Sequence, residues 1–351
     1  MIIINARFLT QKVTGVQRFA IELSKQLKKL SDDILFVSPH NILDEALAAE
    51  LGVVIIGKRT GTTWEQIDLR KYLRSKHKPL LVNFCNTGIL YYSRQIVTIH
   101  DMSYKVNPAW FSKKFYRWYN FLIPHIAASS RKIITVSNSS KNDIVKYLKI
   151  DVDKIAVVYN ASYLNSHDQP QNIARKPYIL TVSSLEPRKN LGRLIEASKQ
   201  LNGDVKLVIV GLGNTKTFSH DFNKAELAEN IVIKGYVPDN ELAELMQFAR
   251  AFVYVSLYEG FGLPLVEAMA MHCPVIASNI PVHQEICGNA AIYVDPYNVN
   301  DIGAGIQQLL DNNTLAETLA ANGIENVKRF SWAVSAKKTL DIINETLQGN
   351  N

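Results

Sequence analysis

The sequence predicts two doubly wound α/β domains, Rossmann-like in design, each a parallel sheet flanked by crossover helices. Three observations carry that prediction. At 351 residues the chain exceeds what a single hydrophobic core usually serves. Short apolar runs alternate with helix-length segments, which is the rhythm of βαβ units. That rhythm stops once, across residues 161–177 (ASYLNSHDQPQNIARKP), a polar stretch with two prolines and no apolar period, and then restarts. The expected division is a first domain of residues 1–164, a linker at 165–177 and a second domain of residues 178–331.

The elements follow in order. The opening MIIINARFLT is apolar but broken by Asn5 and Arg7; it lacks a basic stretch leading into a long apolar one, and reads as a strand over residues 2–5. A helix at 15–30 and a strand at 34–38 come next. Strands at 80–84 and 95–100 precede a helix at 111–128, for which Pro108 is a start signal. A strand at 132–136, a helix at 139–148 and a strand at 155–158 complete the first half. In the second half, strands are expected at 178–183, 206–210, 231–234, 251–256, 274–277 and 291–294. Helices are expected at 190–201, 240–249 and 264–271, with further helices running to residue 348. Open α/β sheets place ligands beyond the carboxyl ends of their strands, so functional motifs should lie just after strands, facing a cleft.

Composition narrows the classes. With 47% hydrophobic and 20% charged residues the chain is globular, not disordered. Cys85, Cys273 and Cys287 are too few and too irregularly spaced for a disulfide framework or a zinc site, and they read as reduced thiols. No apolar run approaches the roughly 20 residues that cross a bilayer, so the expected place is the cytoplasm or the inner face of the cytoplasmic membrane. Residues 1–164 hold 24 Lys and Arg against 12 Asp and Glu, whereas the remainder holds 15 against 20. A basic first half suits an anionic partner or serves solubility. Its cations peak among aromatics in residues 109–121 (AWFSKKFYRWYNF), which suits an interfacial face on anionic lipid or an amphipathic helix burying its rings. Nothing else in the chain resembles a nucleic-acid motif, so no nucleic-acid partner is expected.

The strongest motif follows the strand at 251–256 and reads Leu257-Tyr258-Glu259-Gly260-Phe261-Gly262-Leu263-Pro264-Leu265-Val266-Glu267. Glycines permit close backbone approach and Pro264 opens a helix, whose free N–H groups attract phosphate. Glu267, within that helix, can accept from ribose hydroxyls, and Glu259 can reach a second polyol. Together they suit a nucleotide-sugar. A second loop, after the strand at 178–183, presents Glu186-Pro187-Arg188-Lys189-Asn190. Arg188 offers a planar fork and Lys189 a point charge to a diphosphate, and cations at a helix start oppose the dipole unless an anion arrives. They would steady the charge growing on a leaving phosphate.

Three smaller signals lie elsewhere. In Thr14-Gly15-Val16-Gln17-Arg18, Gly15 can let backbone amides meet a phosphate, or can serve a turn. Thr98-Ile99-His100-Asp101 ends a strand, where His100 can bond sugar hydroxyls, Asp101 stands on the acceptor side, and a structural role is equally open. Gly211-Leu212-Gly213-Asn214 and Gly235-Tyr236-Val237-Pro238 either admit a nucleotide base to the backbone or are ordinary turns.

Taken together, TGVQR, TIHD, EPRKN and EGFGLPLVE resemble the retaining glycosyltransferases of family 4, which have the GT-B architecture, and the resemblance covers nearly the whole chain. EGFGLPLVE matches that family's Glu-x7-Glu pattern. The resemblance implies that Arg188 and Lys189 bind the donor diphosphate, Glu267 the ribose, and Glu259 with the backbone of Phe261, Gly262 and Leu263 the donor sugar. It further implies that His100 lies near the anomeric centre, that Gly15 meets phosphate from the first domain, and that a final helix, about 332–351, packs back on that domain. By the same token Gly211, Tyr236 and Val237 fall on the donor side.

Departures from the family are visible. Thr14-Gly15 stands where many members have two glycines, and Asn160-Ala161 where Asn-Gly is common. Asp151-Val152-Asp153 imitates the Asp-x-Asp metal motif of the other major glycosyltransferase fold but sits before a strand, so a cap or turn is expected and no essential metal.

The expected reaction moves a hexosyl or deoxyhexosyl group from a nucleoside diphosphate sugar, a co-substrate and not a cofactor, to a hydroxyl of a glycan or lipid-linked acceptor. It would do so with retention, by same-face displacement, with domain closure excluding water. Resemblance of TGVQRF to polysaccharide-assembly members points to a bacterial surface polysaccharide. A nucleotide-sugar epimerase of similar shape and a non-catalytic sugar-nucleotide-binding subunit are the alternatives.

Overall fold

A computed structural model describes residues 1–164, 173–201, 204–211 and 229–349. The chain forms two units: Met1–Asn160 with Phe330–Asn351, and Ala161–Arg329. Most of the stretch expected as a linker, residues 165–172, and the turn residues Leu212, Gly213 and Asn214 lie outside the described residues.

In the first unit seven parallel strands are ordered β3-β2-β1-β4-β5-β6-β7. They are β1 (Ile2–Asn5), β2 (Ile34–Ser38), β3 (Val54–Ile55), β4 (Leu80–Asn83), β5 (Gln95–Thr98), β6 (Lys132–Thr135) and β7 (Ile155–Val157). The central strands are buried along their whole length, as a sheet covered on both faces requires. The helix Gly15–Leu30 starts at Thr14, whose side chain and backbone both engage Gln17 in a capping box. Its Phe19 stands edge-on to Trp332 at 6.1 Å between ring centroids, and Ser335 Oγ donates to Tyr159 O at 2.7 Å, which fastens the helix Trp332–Gln348 to this unit.

The second unit is a six-stranded parallel sheet ordered β10-β9-β8-β11-β12-β13. Its strands are β8 (Tyr178–Val182), β9 (Lys206–Val210), β10 (Ile231–Gly235), β11 (Ala251–Tyr254), β12 (Val275–Ser278) and β13 (Ala291–Val294). Ile179, Leu207, Val253 and Ile276 pack on Leu194, Ile306 and Leu309 of the covering helices to form one face's core. The two doubly wound parallel sheets agree with the strand rhythm of the sequence.

Local differences have physical causes. The aromatic helix expected from 111 begins at Lys113, because Ser112 caps it by accepting from Phe115 N at 3.3 Å, while Pro108 opens a separate short turn, Pro108–Trp110. The helix expected from 190 begins at Leu191. Asn190 takes φ +59°, and its amide donates to Val255 O at 3.0 Å and Pro296 O at 2.6 Å. Helical segments at Glu45–Leu51, residues 61–75 and Pro281–Cys287, and the two-residue strand β3, were absent from the sequence expectation. Asp151 does cap a turn, accepting from Asp153 N at 3.0 Å.

Candidate functional site

The second sheet reverses its winding between β8 and β11, and the loops leaving those two strands carry Arg188, Lys189 and Glu259. The short helical turn Pro187–Lys189 presents both cations, and Leu257 N donates to Arg188 O at 2.8 Å, tying the two loops together.

Glu259 accepts from three side chains. Lys189 Nζ donates to its Oε1 at 2.7 Å, Tyr254 Oη to the same oxygen at 2.9 Å, and Arg188 Nη1 to Oε2 at 3.1 Å. Lys189 Nζ also donates to Tyr254 Oη at 2.7 Å, and Arg188 Nε to Glu186 Oε2 at 2.6 Å. Burial alone would raise the Glu259 carboxyl, but Lys189 and Arg188 outweigh it and hold the group well below the usual carboxylate range. Burial likewise pulls on the Lys189 ammonium, and the Glu259 charge leaves it raised instead. Burial pushes the Tyr254 phenol up to about 12. The result is a carboxylate held between an ammonium and a guanidinium, with the exposed Glu186 a second carboxylate on the guanidinium.

The Gly-rich segment behaves as a helix opening. Gly262 takes φ +90° as the residue before the helix Leu263–Ala270, and a Cβ there would stand 2.9 Å from Leu265 Cδ1 and 3.5 Å from His283 Cδ2. Glu267 and Phe261 are buried, and Leu263 is half-buried. Gly211 takes φ +93°, and a Cβ would lie 3.3 Å from Ser183 O, so its backbone requires glycine. Val237 is buried while Tyr236 is 79% exposed, so only the tyrosine of that pair offers its side chain to solvent.

Two groups at this site were not found from sequence. Tyr254 lies inside β11, where an aromatic reads as core, and only the position of β11 beside the switch point marks it. His283 stands in the unforeseen helix Pro281–Cys287, fully buried, its ring 5.6 Å from that of Tyr254. Neither ring nitrogen makes a well-formed hydrogen bond among the described residues, although the Ser278 backbone lies close enough to favour the protonated ring. Burial pulls its pKa down to about 4, so the imidazole is neutral.

In the first unit, His100 follows β5. Its Nε2 lies 2.8 Å from Phe84 O, and since a carbonyl only accepts, Nε2 carries the proton and Nδ1 is left as an acceptor. Burial lowers its pKa, giving a neutral ring. Phe19 packs edge-on against it at 5.0 Å. Asp101 accepts from Ser103 N at 2.8 Å and so caps a turn. Gly15 has no neighbour within 4 Å of where a Cβ would stand and takes no left-handed conformation, so neither backbone nor packing demands glycine there. All three cysteines are free, Cys273 and Cys287 buried and Cys85 half-buried, with burial pushing each thiol up to about 12. Among the described residues no group of three or more His, Cys, Asp or Glu side chains could hold a metal ion.

Two family models match the chain, Glycosyltransferase Family 4 over residues 13–162 and Glycosyl transferases group 1 over residues 164–326. The O-antigen chain mannosyltransferase RfbU of Salmonella typhimurium is 31% identical over 310 residues, 84% of this chain and 86% of that one. The O-antigen chain mannosyltransferase B of Escherichia coli is 30% identical over 264 residues, 71% and 69% of the two chains. Among solved structures, sucrose-phosphate synthase from Thermosynechococcus elongatus matches with a TM-score of 0.80 at 17% identity, covering 99% of both chains, and shares the GT-B fold.

Proposed function

Because the chain belongs to the family 4 glycosyltransferases, group 1, we propose that it moves a hexosyl group, mannosyl first among the candidates, from a nucleoside diphosphate sugar to a glycan or lipid-linked acceptor in bacterial O-antigen assembly. The mannosyl assignment rests on the relatives' names. One observation carries the donor assignment: Arg188, Lys189 and Glu259 converge at the switch point of the second sheet, where two half-buried cations share one buried carboxylate. Two adjacent cations at that place suit a diphosphate.

In this reading the incoming diphosphate competes with Glu259 for the donor groups of Arg188 and Lys189, and Glu259 turns to the sugar hydroxyls. The bond from the anomeric carbon to the phosphate oxygen breaks as the bond to the acceptor oxygen forms on the same face, with retention. The acceptor proton passes to the departing phosphate. Arg188 and Lys189 take up the charge growing on that phosphate, an effect of roughly 3 kcal/mol per well-aimed donor. Glu267 holds the ribose, while Phe261, Gly262 and Leu263 contribute backbone to the sugar. Gly211, Tyr236 and Val237 border the base, and Gly15 admits phosphate. His100, neutral, accepts from a sugar hydroxyl through Nδ1. Fixed cations do the work of a metal, so the reaction runs without one.

The test is calorimetric titration with UDP, GDP, ADP and TDP in excess chelator, repeated on Arg188→Ala and Glu267→Ala. One nucleotide bound tightly, and lost in both variants, supports the reading. Binding to none, or binding only with added metal, overturns it.

The first unit adds a membrane surface to the proposed partners. On the helix Lys113–Ser129, Phe115, Trp118 and Phe121 are exposed beside Lys113, Lys114 and Arg117, with Tyr91 nearby on the surface through its ring contact to His125. Rings at the water boundary with cations above them suit anionic headgroups. Among the described residues no helix is long and apolar enough to cross a membrane.

A further inference from the structure

The first sheet also reverses its winding, between β1 and β4, and a second buried ion pair stands there. Asn5 and Asn83, the last residues of those strands, are paired in register, and Asn5 Nδ2 donates to Asn83 Oδ1 at 3.0 Å and to Glu65 Oε1 at 2.9 Å. Arg7 Nε donates to the same Glu65 oxygen at 2.9 Å. Thr87 Oγ1 donates to it at 2.9 Å and accepts from Arg7 Nη2 at 3.0 Å. Glu65 is fully buried, on the π-wound segment Trp64–Leu69, a winding frequent at functional sites. Its second oxygen, Oε2, has no hydrogen-bond partner among the described residues.

A buried ion pair with an unsatisfied carboxylate oxygen is a poor stabilising device, since desolvation offsets the attraction and the orphan oxygen adds a further penalty. What the arrangement does achieve is orientation. Two of the three guanidinium nitrogens of Arg7 are fixed by Glu65 and Thr87, whereas its remaining amino group, Nη1, meets no acceptor among the described residues and is not sealed from solvent. Arg7 is 11% exposed. The Glu65 charge cancels that of Arg7, and a single guanidinium stands here where the second sheet has two adjacent cations. A fixed donor without net charge, at the spot where open sheets take ligands, suits a neutral hydroxyl and not a phosphate.

We propose that Arg7 and Thr87, held by Glu65 at the end of β1 and β4, form a subsite for a neutral polyol, the sugar end of the acceptor. Arg7 Nη1 donates to one of its hydroxyls, Thr87 completes the local surface, and Glu65 is the positioning residue behind both. The assignment deepens the proposed transferase reading and rests on it.

The experiment measures saturation-transfer NMR with methyl α-mannopyranoside as the neutral probe, alongside GDP and UDP titration, on the wild-type chain, Arg7→Lys and Thr87→Val. The expected result is a glycoside signal weakened about tenfold in Arg7→Lys, the effect of one lost hydrogen bond to a charged group, and weakened as well in Thr87→Val, which removes the anchor of Arg7 Nη2, with nucleotide affinity unchanged. Inorganic phosphate at equal concentration should not displace the glycoside. No glycoside signal in the wild-type chain, a signal indifferent to both variants, displacement by phosphate, or glycoside and nucleotide binding falling together would each overturn the subsite. If the wild-type chain binds glycoside in an Arg7-dependent manner but no nucleotide, the subsite stands and the donor reading falls.

Discussion

Lys189 Nζ and Glu259 Oε1 meet at 2.7 Å with side chains only 14% and 8% exposed, and Arg188 shares the same carboxylate. Two cations therefore meet on one buried anion, Arg188 holding the exposed Glu186 as well. Removing it in Glu259→Ala should cost about 3 kcal/mol, since Lys189 is then left to the neutral Tyr254 hydroxyl and Arg188 to the exposed Glu186. The same change should spare nucleoside diphosphate binding or strengthen it, because Arg188 and Lys189 then no longer share their donors with Glu259, while sugar transfer falls by about a hundredfold or more. Thermal melting with and without nucleotide, set beside turnover, checks this: loss of nucleotide binding in step with stability would mean that Glu259 does nothing beyond holding the two loops.

His283 supplies a pH dependence. Burial holds its native pKa near 4 while the unfolded chain titrates near 6.5, with the Glu259 charge raising the native value and Lys189 lowering it. Between those limits the unfolded state binds more protons, so stability is full above about pH 6.5 and declines as pH falls toward 4. At pH 5 the loss from this group is on the order of 2 kcal/mol. His283→Gln should flatten the melting curve against pH over that window, and an unchanged slope would mean that other histidines carry it. His100, also lowered by burial, contributes in the same sense and should preserve part of the slope.

The parallel sheets were legible because their strands are buried on both faces and read as short apolar runs, as at residues 2–4 and 207–210. Arg188, Lys189 and Glu259 could be found because charged residues beside glycine and proline, just past strands, have few purely local reasons to be there. The short elements could not. Glu65 lies in a segment whose helical winding changes within fifteen residues, so it shows no steady period, and its partner Arg7 is 58 residues away. His283 and Tyr254 face each other across two elements, a relation that only the tertiary packing of β11 against the helix Pro281–Cys287 creates. Asp101 was visible at a strand end, whereas the turn that its carboxylate caps was not.

The helix Lys113–Ser129 was expected either to bury its rings or to present them; its buried face is aliphatic, Tyr116 and Tyr119 are half-buried against the core, and the other rings are presented. Leu122, Ile123, Ile126 and Ala127 supply the buried face, leaving Phe115, Trp118 and Phe121 36%, 39% and 45% exposed along another stripe. Phe111, Phe115 and Tyr119 stack in sequence, at 5.1 Å and then 4.0 Å between ring centroids, so the exposed edge is stiff before any surface is met. Juxtamembrane cations contribute on the order of 1 kcal/mol each against an anionic leaflet. Reversing three of them therefore removes the attraction of three positive charges and adds the repulsion of three negative ones. The variant Lys113→Glu, Lys114→Glu, Arg117→Glu should lose sedimentation with vesicles containing phosphatidylglycerol while its melting temperature holds, because all three side chains are exposed. Wild-type binding should weaken in high salt, as a charge-driven contact must. A second variant, Trp118→Ala with Phe121→Ala, separates the two contributions: it should weaken binding to charged vesicles without altering the salt dependence. Wild-type binding to anionic vesicles that survives the triple reversal would mean that this face does not dock on lipid.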